Sequence, residues 1–355
     1  SIGQSGLITA NRLNVRAGGD IALTGDNAVA GIGTLSAAGD IAFTAAGDLL
    51  LTDAIDANGA VTLVANSGLI TQNGGTITAG SLNVSALGNV ALGQANTVSV
   101  LVGTSTNGNI VLRNTGSIGL GAVTLGGAFT LTLDAGAVTQ TGDLRAGGVS
   151  ITAHDGITLT RGGNANQGPL SLTNLGTGSI AYTDSGAIAI ASIAATGQTV
   201  TLNAGGAISQ TGGIEATLLN LTTPGNVLLT HATANRIDGL GTVDVGELTL
   251  ATAGDLDLAG AIAASNLLAL TVNGQLTQSS GTITTPSLSI AASHGIDLGS
   301  VNQVDVLAAT NSGGSGDVRF VNGRSLLIDS FRSDHGSLTL RLTAGDLTLN
   351  GVTSS

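Results

Sequence analysis

Apolar and polar residues alternate along this chain in very short runs. Leu13-Asn14-Val15 is followed eight residues later by Ile21-Ala22-Leu23, and Ile41-Ala42-Phe43 by Leu49-Leu50-Leu51 at the same interval. Val61-Thr62-Leu63 leads into Leu69-Ile70-Thr71-Gln72. The apolar period is two, which predicts strands, and no stretch sustains the 3.6-residue period of a helix. The good helix formers Lys and Met are absent and Glu is nearly so. Between the alternating runs sit Gly-Asp and Gly-Asn pairs, among them Gly19-Asp20, Gly39-Asp40, Gly88-Asn89 and Gly254-Asp255, residues that accept the backbone angles of tight bends.

Three landmarks recur in one register. Gln4, Gln72, Gln140, Gln210 and Gln278 each close a similar segment, at spacings of 68, 68, 70 and 68 residues. An Asn two residues before an apolar residue marks a second position at Asn27, Asn96, Asn235 and Asn302, and in the copy between Asn96 and Asn235 that pattern falls on Asn166-Gln167-Gly168. Phe43, Leu112, Tyr182, Leu250 and Phe320 end a third set of strands, at spacings of 69, 70, 68 and 70. The repeats run approximately 1–68, 69–136, 137–206, 207–274 and 275–345, with the start of a sixth at 346–355. Inside the first, paired strands begin at 13, 41 and 61 and restart at Leu82, steps of 28, 20 and 21 residues.

Short strands with frequent turns also suit a sandwich, but a sandwich gives no reason for such regular recurrence. A solenoid does, because each coil buries its inward side chains against the coils on either side. The pattern therefore predicts an all-β, right-handed parallel β-helix of about fifteen coils, five repeats of three coils each, with residues 1–355 forming one shaft fragment. Phe43, Tyr182 and Phe320 are expected in one column of its core. In Ile70-Thr71-Gln72 the alternation puts Gln72 on the same face as Ile70, so each repeated Gln is expected to point inward at a corner and tie that corner down.

Composition narrows this further. Gly is 56 of 355 residues but Pro only 3, which excludes collagen. Aromatics are 1% while apolar residues are 42%, so the core rests on Ala, Val, Ile and Leu, and the chain is not disordered. All ten basic residues are Arg, against 22 acidic ones, for a net charge of −12. Nucleic-acid binding and a polybasic membrane patch are excluded on that balance. There is no Cys, hence neither disulfides nor thiolate metal ligands. No apolar run reaches the length that spans a bilayer as a helix. The chain opens inside a repeat, at Ser1-Ile2-Gly3-Gln4, and reads as a piece of a longer protein.

The pattern ITQxGG…LxVxAxGxVxL, followed by Asn-x-Val, resembles the shaft repeats of filamentous haemagglutinin-type exoproteins of Gram-negative bacteria, and does so over essentially all of residues 1–349. It is also similar to the β-helices of autotransporter passengers. The resemblance implies a secreted, extracellular rod at the bacterial surface that displays binding regions away from the cell. It implies an outer-membrane transporter as partner, and a receptor or glycan on a host or neighbouring cell. End-to-end self-association is a further expectation, because an open coil end exposes unpaired strand edges.

Candidate chemistry is sparse. The aspartates Asp20, Asp40, Asp48, Asp155, Asp255, Asp317 and Asp346 lie beside turn glycines, where turn geometry and solubility account for them. Asp53 with Asp56, and Asp255 with Asp257, are close enough in sequence for acid–base work, but no Arg or His stands near either pair in the repeat. The nine-residue glycine–aspartate period of a calcium β-roll is not sustained. His154, His231, His294 and His335 are too dispersed to share an ion. Neither cofactor, metal nor catalytic residue is assigned. The Gly-rich stretches Arg161–Gly168 and Asn311–Gly316 fall at the long step of the repeat, where a solenoid extrudes loops, and are the expected place for binding. The expected function is the non-catalytic shaft of a secreted adhesin. The alternatives are a subunit of a β-helical extracellular filament or coat and a polysaccharide-active β-helix enzyme.

Overall fold

The computed structural model describes residues 1–313 and 315–350, with backbone alone for 352–354. The Asn311–Gly316 stretch thus lies partly outside the described residues, as does the end of the expected sixth repeat at 346–355. The fold is an all-β parallel β-solenoid of about seventeen turns, without helices among the described residues, close to the fifteen coils expected. It divides into two compact units, Ser1–Ser179 and Ile180–Ser355.

In the first unit one inward column runs Ile21, Ile41, Val61, Leu82, Leu101, Leu120, each residue the direct partner of the next on the neighbouring turn. The steps are 19 to 21 residues, and every pairing is parallel. Ile41, Val61, Leu82, Leu101 and Leu120 are at most 1% exposed. Each such side chain contributes about 1.5–3 kcal/mol relative to an exposed one. Adjacent turns sit about 4.8 Å apart, so each column is a continuous stack, filled mostly by aliphatic side chains with single rings such as Phe43 and Phe129 among them.

A turn of about twenty residues does not divide the repeat evenly. Gln72 pairs with Leu51, and Leu51 with Ile32. Gln140 pairs with Leu120, in the column that runs through Ile21. Gln4 follows Ile2 and Gly3, which pair with Ile21 and Ala22, and so stands beside the Leu23–Phe43–Leu63–Val84 column. The three glutamines therefore occupy three different columns. Each repeat covers three turns and then about nine residues more, so the next one restarts on another side of the solenoid. The 28-residue step in the sequence is a twenty-residue turn plus one further side. This corrects the expectation of three whole coils per repeat and accounts for the larger number of turns.

The same overshoot separates the aromatic residues. In the second unit Tyr182 heads a column through Leu202, Leu221, Val243, Ile262 and Ile283. Phe320 stacks between Leu298 and Leu340 in a different one. Tyr182 and Phe320, both 1% exposed, thus fill separate columns rather than the shared one expected from the repeat.

Candidate functional site

The repeated Gln and the repeated Asn prove to be two halves of one device. Between Leu92 and Asn96 the ladder slips, and Gly93, Gln94 and Ala95 leave it as a bulge. A bulge orphans backbone groups inside the wall, and buried polar groups require partners. The Asn96 side chain supplies them. Its Nδ2 donates to the carbonyls of Leu92 (3.2 Å) and Gln94 (2.9 Å) on its own turn and of Arg113 (3.2 Å) on the next. Its Oδ1 accepts the Ile77 N–H at 2.8 Å, where a strand of the preceding turn begins. Gln72 completes the set as a reciprocal amide pair. Its Nε2 donates to Asn96 Oδ1 at 2.9 Å, and its Oε1 accepts from Asn96 Nδ2 at 3.2 Å. Gln72 Nε2 also donates to the Gly75 carbonyl at 3.2 Å. Gly75 has φ +61°, and a Cβ there would fall within 2.1 Å of the Asp53 backbone, so the corner requires glycine.

The bracket occurs five times among the described residues. Gln4 pairs with Asn27, Gln140 with Asn164, Gln210 with Asn235 and Gln278 with Asn302. In each the Asn Oδ1 accepts the N–H that opens the next strand, from Ile8, Leu144, Ile214 or Ile283, at 2.8–3.2 Å. The five Asn residues are at most 1% exposed. Gln72 is buried, while Gln4, Gln140, Gln210 and Gln278 are half-buried. Each bracket joins three consecutive turns where the Asn also reaches the turn above, as Asn27 does to Thr44, Asn235 to Ala251 and Asn302 to Val321. The third partner is Asn164, not Asn166, whose Nδ2 instead closes a local turn on the Gly168 carbonyl. The usable signal was the Gln-to-Asn separation of 23 to 25 residues, which selects Asn164 without requiring an apolar residue two places on.

The turn aspartates act in a simpler way. Asp40 Oδ1 accepts the Ala60 N–H at 2.7 Å, Asp255 Oδ1 that of Gln275 at 2.7 Å, and Asp317 Oδ1 that of Ser337 at 2.7 Å, each one turn further on. Asn89 and Asn109 do the same for Asn109 and Ala128. Arginines bind aspartates across turns, including Arg113 with Asp134 at 2.9 Å and Arg319 with Asp297 at 3.1 Å. Arg12 reaches Asp53 from 41 residues away, which supplies the arginine neighbour that the sequence did not place beside Asp53 and Asp56. Asp143 lies between Arg161 and Arg145, and the Arg161 hydrogen bond above all holds its carboxyl below the usual range.

One buried pair stands apart. The Tyr182 hydroxyl donates to Asp184 Oδ2 at 2.8 Å, with both residues nearly inaccessible. Burial first, and the Asp184 charge second, push the phenol far above its ordinary range, so it stays neutral and donates. His231, His294 and His335 are exposed and His154 half-buried. Among the described residues no three His, Asp or Glu side chains converge as metal ligands would.

Residues 107–173 and 177–244 are each similar to the family described as repeats of unknown function (DUF5649). The two matched segments start 70 residues apart, the period of the glutamine landmarks. No curated protein and no solved structure matches the chain.

Proposed function

We propose that this chain is a non-catalytic structural shaft, part of a secreted bacterial surface adhesin that holds binding regions away from the cell. The recurrent bracket carries this reading. It closes the solenoid wall at every repeat and ties successive turns together, so length is added without a new solution to folding. The side chains that would be catalytic candidates, the aspartates, are engaged as backbone acceptors and arginine partners. The resemblance of the repeats to filamentous haemagglutinin-type shafts supplies the surface setting, the outer-membrane transporter and the cell-surface receptor of this reading. Immunogold labelling of intact cells with an antibody to the chain tests it. Label standing off the outer surface, lost on brief external protease treatment, is the expected result. Label confined within the cell overturns it, and continuous fibres formed by the purified chain transfer the reading to a filament or coat.

A further inference from the structure

The five brackets serve as an internal alignment, and a departure from their common pattern is something that the fold does not require. One outward pair flanks each bracket: the residue after the strand-opening apolar residue and its partner one turn on, which follows the Asn. These pairs are Thr9–Ala28, Thr78–Thr97, Arg145–Ala165, Glu215–Arg236 and Thr284–Gln303. Only the fourth holds two charged residues. Arg236 is exposed and, unlike most arginines here, takes part in no ion pair among the described residues, although Glu215 is its direct register neighbour. Asp238 stands two residues further along the same outward face, also exposed.

This departure coincides with a groove of about 710 Å³ in the second unit. Its floor is Ala216 and Ile237, and Thr196–Gly197 and Gly254–Asp255 stand at its two ends. Gly197 has φ +73° and lies in the bulge between Ala195 and Thr199, so the rim is built by a break in the ladder. From Thr196 to Asp255 the groove crosses four turns, about 14 Å at the spacing of parallel strands.

We propose that this groove is a binding site for a neutral oligosaccharide, two to three sugar units long, laid along the solenoid axis. The lining alternates a fork of guanidinium donors with carboxylate acceptors and threonine hydroxyls, the complement of a ligand that carries many adjacent hydroxyls. Other ligand classes fit less well. A peptide strand needs a free sheet edge, and here the backbone groups of the floor are spent on neighbouring turns, Ala216 on Ala195 and Ile237. A nucleic acid needs clustered cations, and the groove has one against three carboxylates. A metal ion needs convergent ligands, which are not present among the described residues. The proposal gives the surface shaft a ligand of its own and rests on that reading only for its biological setting.

The test uses the purified chain on an array of neutral di- to tetrasaccharides, followed by calorimetry on the best-bound sugar. Arg236→Gln and Asp238→Asn are each expected to weaken binding about tenfold or more, from loss of a charge-assisted hydrogen bond. Arg16→Gln, an exposed and unpaired arginine of the first unit, leaves it unchanged. The thermal midpoints of all three variants stay at the parent value, because none of these side chains is buried. No retention of any saccharide, retention insensitive to both groove variants, or selective binding of a basic peptide instead would overturn the proposal. Each of these outcomes leaves the cell-surface reading to its own test.

Discussion

The bracket corner at Asn96 and the turn at Asp40 make the same hydrogen bond in opposite surroundings. Asn96 Oδ1 accepts the Ile77 N–H at 2.8 Å, and Asp40 Oδ1 accepts the Ala60 N–H at 2.7 Å. Asn96 is fully buried and Asp40 is exposed. Water replaces a lost acceptor at Asp40 but does not reach the Ile77 N–H or the Leu92 carbonyl, whose bonds to Asn96 are buried. Geometry is therefore a poor guide to importance here, and burial decides it. The difference also explains residue choice. A buried corner with donors and acceptors on both sides calls for a neutral amide, whereas a carboxylate, which accepts only, suits a solvated turn that presents N–H groups.

The comparison predicts its own largest effect. Asn96→Ala strands the buried Ile77 N–H and Leu92 carbonyl and removes the amide partner of Gln72, while the partly exposed Gln94 and Arg113 carbonyls turn to water. A loss of about 2–4 kcal/mol follows from two unsatisfied buried backbone groups and the lost amide pair, each costing about 1–3 kcal/mol before relaxation. Gln72→Ala removes the outer half of the same bracket and costs about 1–2 kcal/mol. Urea denaturation of the two variants and of the double variant checks this. The double variant should lose less than the sum of the singles, since both delete one shared amide pair. If Asn96→Ala cost no more than a surface substitution, the distinction between the two sites would fail.

A second buried polar pair sharpens the same contrast through pH. The folded state holds the Tyr182 phenol far above its ordinary range, through burial and then the Asp184 charge. The unfolded chain ionises this group near pH 10. Below that pH both states keep the proton and stability is full. Above it the unfolded state releases the proton and the folded state does not, so stability falls by about 1.4 kcal/mol per pH unit. The chain contains one Tyr, no Cys and no Lys, so this alkaline limb reports Tyr182 alone. Denaturation midpoints at several pH values between about 9 and 12 should show the limb, and Tyr182→Phe should flatten it. An equal slope in both proteins would show that the pair is not closed to solvent.

Much of this architecture was legible in the sequence. Period-two alternation gave the strands, the 68–70-residue recurrence gave the solenoid, and the alignment of Ile70 with Gln72 placed the amide at a corner. What escaped was the pairing. Gln72 and Asn96 are 24 residues apart, one turn plus the residues of a bulge, and the bulge is visible only in the ladder register. The repeat alone likewise puts Tyr182 and Phe320 in one column. The 28-residue step of the sequence conceals a twenty-residue turn plus one further side, and that overshoot carries each repeat onto a new side. Arg12 and Asp53 illustrate the remaining gap, since side chains 41 residues apart meet only once two turns have been wound.

The smallest effect lies on the exposed side of the comparison. Asp143 is held below the ordinary carboxylate range, chiefly by the Arg161 hydrogen bond, with Arg145 contributing and burial opposing. A carboxyl depressed in the folded state stabilises it above the unfolded pKa, and that contribution is lost as pH falls through the folded value. The arginines and Asp143 are solvated, so screening leaves little of the shift as stability. Arg161→Gln should therefore raise the Asp143 titration midpoint toward the ordinary range in a carboxyl-detected NMR titration, while the thermal midpoint scarcely moves. Added salt should shift the parent's midpoint in the same direction. A large thermal loss from Arg161→Gln would mean that exposed ion pairs carry weight in this wall comparable to the buried amides, and the division between Asn96 and Asp40 would then have to be drawn by position in the turn rather than by access to water.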